Sequence, residues 1–308
     1  GSILCILAPT IEWLWFGRFV QGLGVAANGA LFRTILRDKF HGVRLAEIGS
    51  YLGMLFAFFP AIAPFIGGII QQNWGWEATF YLFIVLSLTV LGVAYFFFPE
   101  TAKKLNPDAL KPKVVLANYA TLLKNASFMG YALAAGCAFS GLISYYMVSP
   151  YFFQEVLGLT PFQYGLTSFI VTLGLLSGHY LNTKLVSKRG IENMIKAGFW
   201  FMLIGGIALL MTEFLAPLNL TLILLSTMTF LIGAGLVFGN STAGAFHPFP
   251  HIAGSAGALF GTLQVFGTAL TSYFVALASE NPYILGIAFT LLALTAFAGD
   301  ALLIEKKQ

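Results

Sequence analysis

Apolar residues in this chain come in long blocks separated by short polar gaps, with neither the alternation of a strand nor the one-sided stripe of a soluble helix. A helix needs about 20 residues to cross a hydrocarbon layer of about 30 Å. Blocks of that length predict nine complete spanning helices: Trp13 to Leu36, Ile48 to Ile70, Ala78 to Phe98, Phe128 to Val148, Tyr164 to Leu185, Met194 to Thr212, Leu220 to Ser241, Gly254 to Leu277 and Tyr283 to Leu303. Ser2 to Ala8 is a shorter apolar stub, closed as a turn by Pro9 and Glu12. The fold class expected is all-α and polytopic, nine complete transmembrane helices plus the stub of a tenth.

The polar gaps divide the blocks. The longest runs from Pro99 to Asn125, with Pro107, Pro112 and five lysines. It reads as a cytoplasmic linker (99–125) between an incomplete bundle (1–98) and a six-helix bundle (126–308). Lys and Arg avoid the translocated side of a membrane. Every basic residue except Arg18 falls in alternate gaps: Arg33 to Arg44, Lys103 to Lys124, Lys184 to Lys196, and Lys306 with Lys307. The opposite gaps, Gln71 to Glu77, Phe153 to Phe162, Glu213 to Asn219 and Ser279 to Pro282, contain none. The C-terminus is therefore expected in the cytoplasm. Counting back puts the stub outside, which predicts that the beginning of the chain is missing.

Composition sharpens the class. Hydrophobic residues make up 58% and charged residues 9%, against about 25% charged in soluble domains. That excludes an ordinary soluble enzyme and a nucleic-acid binder, and makes the net charge of +4 an orientation signal. Cys5 and Cys137 sit in apolar runs and suit neither a disulfide nor a zinc site. Pro248 and Pro250 prevent the helix that would aim His247 and His251 at one metal. No P-loop is present, and no cofactor is expected. Small-residue pairs four apart (Gly49 and Gly53, Gly174 and Gly178, Gly235 and Gly239, Gly257 and Gly261) suit close helix packing.

Arg18 is the one charge deep in an expected span. Two readings fit it: a cavity-facing functional group, the favoured one, or a side chain snorkelling to the outer interface. Gln21 flanks the same face. The amides of Asn28, Asn240 and Gln264 need a partner or water in hydrocarbon; they fit a substrate cavity or act as interhelical glue. Tyr145, Tyr146, Phe238 and Phe260 fit an apolar cavity wall, with lipid-facing or packing roles as the alternative for each.

Several of these segments carry a resemblance. Arg18-Phe-Val-Gln21-Gly22-Leu-Gly24-Val-Ala26-Ala27 closely resembles the fourth-helix signature of the major facilitator superfamily. Pro60-Ala-Ile-Ala63-Pro64-Phe-Ile-Gly67-Gly68 looks like its antiporter motif in helix five, with Ala63 where many members have Gly. Trp76 to Phe80 and Pro99-Glu100-Thr101 occupy the expected flanks of helix six. Ser149-Pro150 through Gly158-Leu159, and His247-Pro248 through Gln264, resemble the corresponding junctions of the Bcr/CflA drug-resistance transporters. The loop Gly178 to Gly190 resembles a degraded cytoplasmic gating loop without its Asp; plain positive-inside anchoring fits equally well.

The resemblance implies a drug:proton antiporter of the inner membrane, N-terminally truncated and holding helices 4–12 of 12. Its expected partners are a small hydrophobic or amphipathic substrate, protons and the lipid bilayer, with no nucleic acid, and the protein is expected to be a monomer. Arg18 and Gln21 would form a polar network for proton coupling, and Pro60, Pro64, Gly67 and Gly68 the antiporter motif. Asn28, Tyr145, Tyr146, Phe238, Asn240 and Gln264 would line the cavity. Arg cannot release a proton at working pH, and no Asp or Glu lies mid-span, so the coupling carboxylate is expected on the missing helices. The alternative is a metabolite exporter or facilitator on the same fold.

Overall fold

A long apolar block must satisfy its own backbone N–H and C=O groups where no water reaches, and a helix does so within one segment. The computed structural model describes residues 1–39, 58–59, 62–97, 111–216, 218–278 and 283–303, without the side chains of 27–34, 36–38, 213 and 250. Among them the regular structure is entirely helical. The helices are α1 (Ser2–Ile6), α2 (Ile11–Lys39), α3 (62–74), α4 (Ala78–Phe97), α5 (Pro112–Lys124), α6 (Ala126–Tyr151), α7 (Pro161–Arg189), α8 (Ile191–Leu215), α9 (Leu220–Phe246), α10 (Ala253–Leu277) and α11 (Ile284–Leu303).

Six segments are long and apolar enough to cross a membrane: Ala78–Phe97, Ala126–Val156, Ile191–Thr212, Leu220–Phe246, Ala253–Leu277 and Ile284–Leu303. The expected count of nine is thus met by six among the described residues. The helices α2 and α7 are long but diluted by glycines and polar residues, and α3 is described only in part. In α7 the hydroxyls answer that polarity locally. Thr172 donates to the Ser168 carbonyl at 2.8 Å, Ser177 to Leu173 at 2.7 Å and Thr183 to His179 at 3.0 Å. Such back-bonding lets a polar residue sit in a spanning helix.

Packing in the C-terminal bundle follows its small residues. Against α9, a Cβ at Gly174 would lie 2.5 Å from the Met228 carbonyl, and one at Gly178 would overlap that of Ile232. The small residues four apart act here through backbone contact: Gly235 meets the Leu175 carbonyl from the other side. Gly239 and Gly261, by contrast, have open space around them. On the opposite flank of α9, Gly198 and Gly205 let α8 approach, and Gly141 of α6 leaves room for the Phe230 ring. That ring stacks on Phe289 of α11 at 3.9 Å, both fully buried. Gly49 and Gly53 lie outside the described residues.

Helix ends carry local signals. Asn125 accepts from Phe128 N at 2.7 Å to start α6, and Asn219 accepts from Leu222 N at 3.1 Å to start α9. Gly190 takes φ 79° between α7 and α8, a left-handed value that glycine adopts without a Cβ penalty. Pro150 lies inside α6, which runs into a π turn at Phe152–Val156. A proline that removes one hydrogen bond and a widened turn together re-aim the end of a helix.

The stretch expected as linker is not all loop. Residues 99–110 lie outside the described set, but Pro112–Lys124 forms α5, with Pro at its first position where no N–H is needed. Leu122 is fully buried against a cluster that includes Phe128 of α6, Phe249, and Ala256 and Phe260 of α10. Asn118 donates to Ser255 Oγ at 3.2 Å. The helix therefore lies across the ends of α6 and α10.

Candidate functional site

Arg18 and Gln21 stand one helical turn apart on α2. Arg18 Nη1 donates to Gln21 Oε1 at 2.9 Å, and Gln21 Nε2 donates to Ser2 Oγ of α1 at 2.7 Å. The pairing has the i, i+3 spacing that brings side chains together on a helix. Gly1 and Gly17 allow the stub so close: a Cβ at Gly17 would lie 2.7 Å from Cys5 Sγ, and one at Gly1 2.5 Å from Gln21 Cγ. Arg18 is exposed, and among the described residues nothing lies within 4 Å of a Cβ built at Gly22 or Gly24 beside it. The fixed amide holds one edge of the guanidinium, and its remaining N–H donors are available to an anionic or carbonyl partner. Glu12 lies in the first turn of the same helix, its carboxyl held below the ordinary range by hydrogen bonds from the Thr10 side chain and its own backbone N–H. It is ionised at neutral pH and has no proton to give. Asn28 lies on the same helix, with its side chain outside the described residues.

The aromatic and amide candidates fall into three seams of the C-terminal bundle. Between α6 and α7, Tyr146 OH and Thr172 Oγ1 lie 2.7 Å apart, and Ser149 Oγ and Tyr164 OH 3.2 Å apart. Tyr145 is fully buried, its ring 5.5 Å from Tyr146 and 6.3 Å from Phe153. Among the described residues its hydroxyl makes no hydrogen bond of standard geometry, nor do those of Ser144 and Ser168. Between α6 and α10, Ser140 Oγ and Thr268 Oγ1 are 3.1 Å apart, and Gln264 lies beside Gly136 with its Nε2 unpartnered. Phe260 is buried against Phe128 and Phe246.

The third seam joins α7 and α9. Asn240, 3% exposed, donates to Asn182 Oδ1 at 2.6 Å and to the Leu236 carbonyl at 2.8 Å. Asn182 Nδ2 returns to Asn240 Oδ1 at 3.5 Å. The glue alternative for Asn240 has its partner in Asn182, which sequence reasoning missed. Phe238, half-buried, tilts against Phe139 at 6.3 Å. The seams are separate: no hydrogen bond among the described residues joins Arg18, Tyr146, Asn240 and Gln264 to one another. An unpartnered amide and several orphaned hydroxyls in a hydrocarbon-level bundle are costly unless water or a ligand reaches them.

The segment Pro64 to Gln72 of α3 packs against the start of α7. A Cβ at Gly165 of α7 would lie 2.8 Å from the Pro64 carbonyl of α3, and one at Gly68 would overlap the Pro161 carbonyl. Phe65 fits between Phe162 at 5.7 Å and Phe169 at 6.4 Å. Gln72 Oε1 accepts from the Phe162 backbone N–H at 3.1 Å. The start of α7 is otherwise closed by a capping box of Thr160 and Gln163. Helix α3 thus supplies a cap for an N–H that α7 itself leaves open. Gly67 meets nothing within 4 Å, and Pro60 lies outside the described residues.

The segment Gly178 to Gly190 is not a loop. Helix α7 continues through Tyr180, whose ring lies 5.7 Å from Lys184 Nζ, to Arg189. No Gly or Pro interrupts residues 179–189, and Lys188 and Arg189 suit a helix C-terminus.

Residues 1–272 match the pattern of the Major Facilitator Superfamily. The chain is 28% identical over 247 residues to a bicyclomycin resistance protein homolog of Haemophilus influenzae, covering 80% of this chain and 62% of that protein. It is 28% identical over 295 residues to multidrug resistance protein D of Escherichia coli, covering 96% and 73%. The chain thus spans less than two thirds of the first relative's length. The crystal structure of a D-xylose–proton symporter superposes with a TM-score of 0.73 at 19% identity, over 96% of this chain and 76% of that one. At that identity the likeness concerns fold.

Proposed function

Because the chain belongs to the Major Facilitator Superfamily, we propose that it acts in secondary active transport, exporting drugs or small amphipathic molecules across the inner membrane in exchange for protons. The supporting observation is the seam between α3 and α7. Two helices from different bundles meet backbone to backbone at Gly68 and Gly165, with Pro64 and Pro161 supplying the facing carbonyls. Glycines at such a contact allow two bodies to close tightly and separate again without unthreading side chains. By the distribution of basic residues this end of the molecule faces outward, so the closed seam leaves access from the cytoplasm. Rocking of the bundles would expose a central site to each side in turn.

The similarity to the resistance proteins of H. influenzae and E. coli supports drugs as cargo. Arg18 supports proton exchange as a stabiliser: its fixed charge favours the ionised form of a carboxylate brought beside it. The candidate cargo contacts are Tyr146, Gln264 and the hydroxyls around them, together with Asn28 and Phe238.

The test is drug susceptibility of a strain lacking the full-length gene, complemented with the native sequence or with Arg18→Ala. Complementation is expected to lower susceptibility to amphipathic cations or antibiotics, and Arg18→Ala to abolish the effect with protein level unchanged. No shift across a broad panel, with the variant equally silent, would replace drug efflux by metabolite export.

A further inference from the structure

Helix α5 has two faces that the transport reading does not use. Its inner face, led by Leu122 with Asn118 and Tyr119 alongside, is docked on α6 and α10. At 100° per residue, Lys113 and Lys124 fall on the diametrically opposite side, three turns apart. Both are exposed, and α5 contains no acidic residue. Between the docked face and the lysines runs an apolar stripe, Leu116 at 66% exposure and Leu123 at 48%, on one flank. The other flank carries Thr121 and Val114.

The surroundings set the depth of this helix. It lies across the ends of two membrane-spanning helices rather than along them, because Asn125, in an extended conformation, bends the chain between α5 and α6. A helix at that level with an apolar stripe beside a cationic one is built to lie in a membrane interface. The leucines enter the upper acyl region, and the long lysine stems reach the phosphates. Positive charge on a helix with no acidic residue of its own selects headgroups of net negative charge over zwitterionic ones.

We propose that α5 is an interfacial helix that binds anionic phospholipid headgroups through Lys113 and Lys124, with Leu116 and Leu123 seated in the acyl layer. The inference rests on the placement of α5 and holds whatever the cargo. Each lysine contributes roughly fivefold to the local preference for an anionic lipid.

The test uses the full chain carrying Leu116→Cys, labelled with an environment-sensitive fluorophore; Cys5 and Cys137 are buried and leave the introduced thiol as the reactive one. The protein is reconstituted in vesicles of phosphatidylcholine containing a small fraction of nitroxide-bearing lipid, either phosphatidylglycerol or phosphatidylcholine. Several-fold stronger quenching by the glycerol lipid is expected, falling to parity in Lys113→Gln/Lys124→Gln and weakening in high salt. Equal quenching by both lipids in the native background would remove the headgroup preference. Quenching by aqueous iodide alone would show the flank solvated, and self-quenching that grows with protein density would show a second copy covering it; either overturns the proposal. A thermal melt of the double variant matching the native one confirms that the loss is not unfolding.

Discussion

Asn240 shows how one side chain is held in this protein. Its amide reaches across to Asn182 while also closing onto its own helix at Leu236. Removing Asn182 leaves a buried Asn240 N–H without its interhelical acceptor, a loss of about 1–2 kcal/mol. Asn182→Ala and Asn240→Ala should each lower the melting temperature in detergent, and the double variant should lose clearly less than the sum, since both singles break the same pair. An additive double variant would mean that the two amides act independently. The pair also marks a limit of sequence reading. Asn240 stands out in an apolar block, whereas Asn182 sits close to Lys184 and Lys188 in a stretch whose polarity looks like that of a loop. Only the α7–α9 geometry makes them partners. Arg18 is the reverse case: its singularity was legible from composition, and the structure adds its link through Gln21 to Ser2.

Among elements, α7 depends most on its ends and its glycines. Its first turn is closed by Thr160, Gln163 and, from α3, Gln72. Thr160→Ala should cost about 1 kcal/mol of stability whether the contact between α3 and α7 is closed or open. Gln72→Ala should instead act mainly on the closed seam, because separation hands the Phe162 N–H to water. Equal melting losses but a changed transport rate only for Gln72→Ala would separate the two roles. Along the same helix, Gly178→Leu places a side chain on the Ile232 carbonyl, and overpacking of this kind costs at least about 1–3 kcal/mol. Reduced yield of folded protein is the expected readout, whereas the same change at Gly261, which faces open space, should be tolerated. Most elements of this kind were visible as apolar blocks. The exception is α5: prolines and lysines gave it the composition of a linker, and its docked face amounts to Leu122 with a few half-buried neighbours, too little to signal a helix without knowing what lies beneath it.

For the whole molecule, the distinguishing prediction concerns the seam between α3 and α7. Gly68→Val cannot close against Pro161 without a shift of backbone, so the bundles should spend more time apart at that end. A thiol introduced at Phe162 should then react faster with an impermeant reagent from outside in Gly68→Val than in the native background. An unchanged rate would show that the seam is not the closing surface. The expectation of two bundles rests on the polar stretch and the basic gaps, because charge asymmetry is a property of the whole chain. Which helices meet across the bundles could not, since Gly68 and Gly165 carry no chemical signal until they are placed face to face.

The glycine contacts of α7 with α9 have a mechanical consequence. With Gly174, Gly178 and Gly235 bringing the two backbones together, the pair has few soft modes of its own, and packing this dense is stiff. Force applied at the start of α7 is then shared with α9 and, through Gly198 and Gly205, with α8. The helix cannot peel away as a separate flap: any displacement of α7 carries α9 and α8 with it.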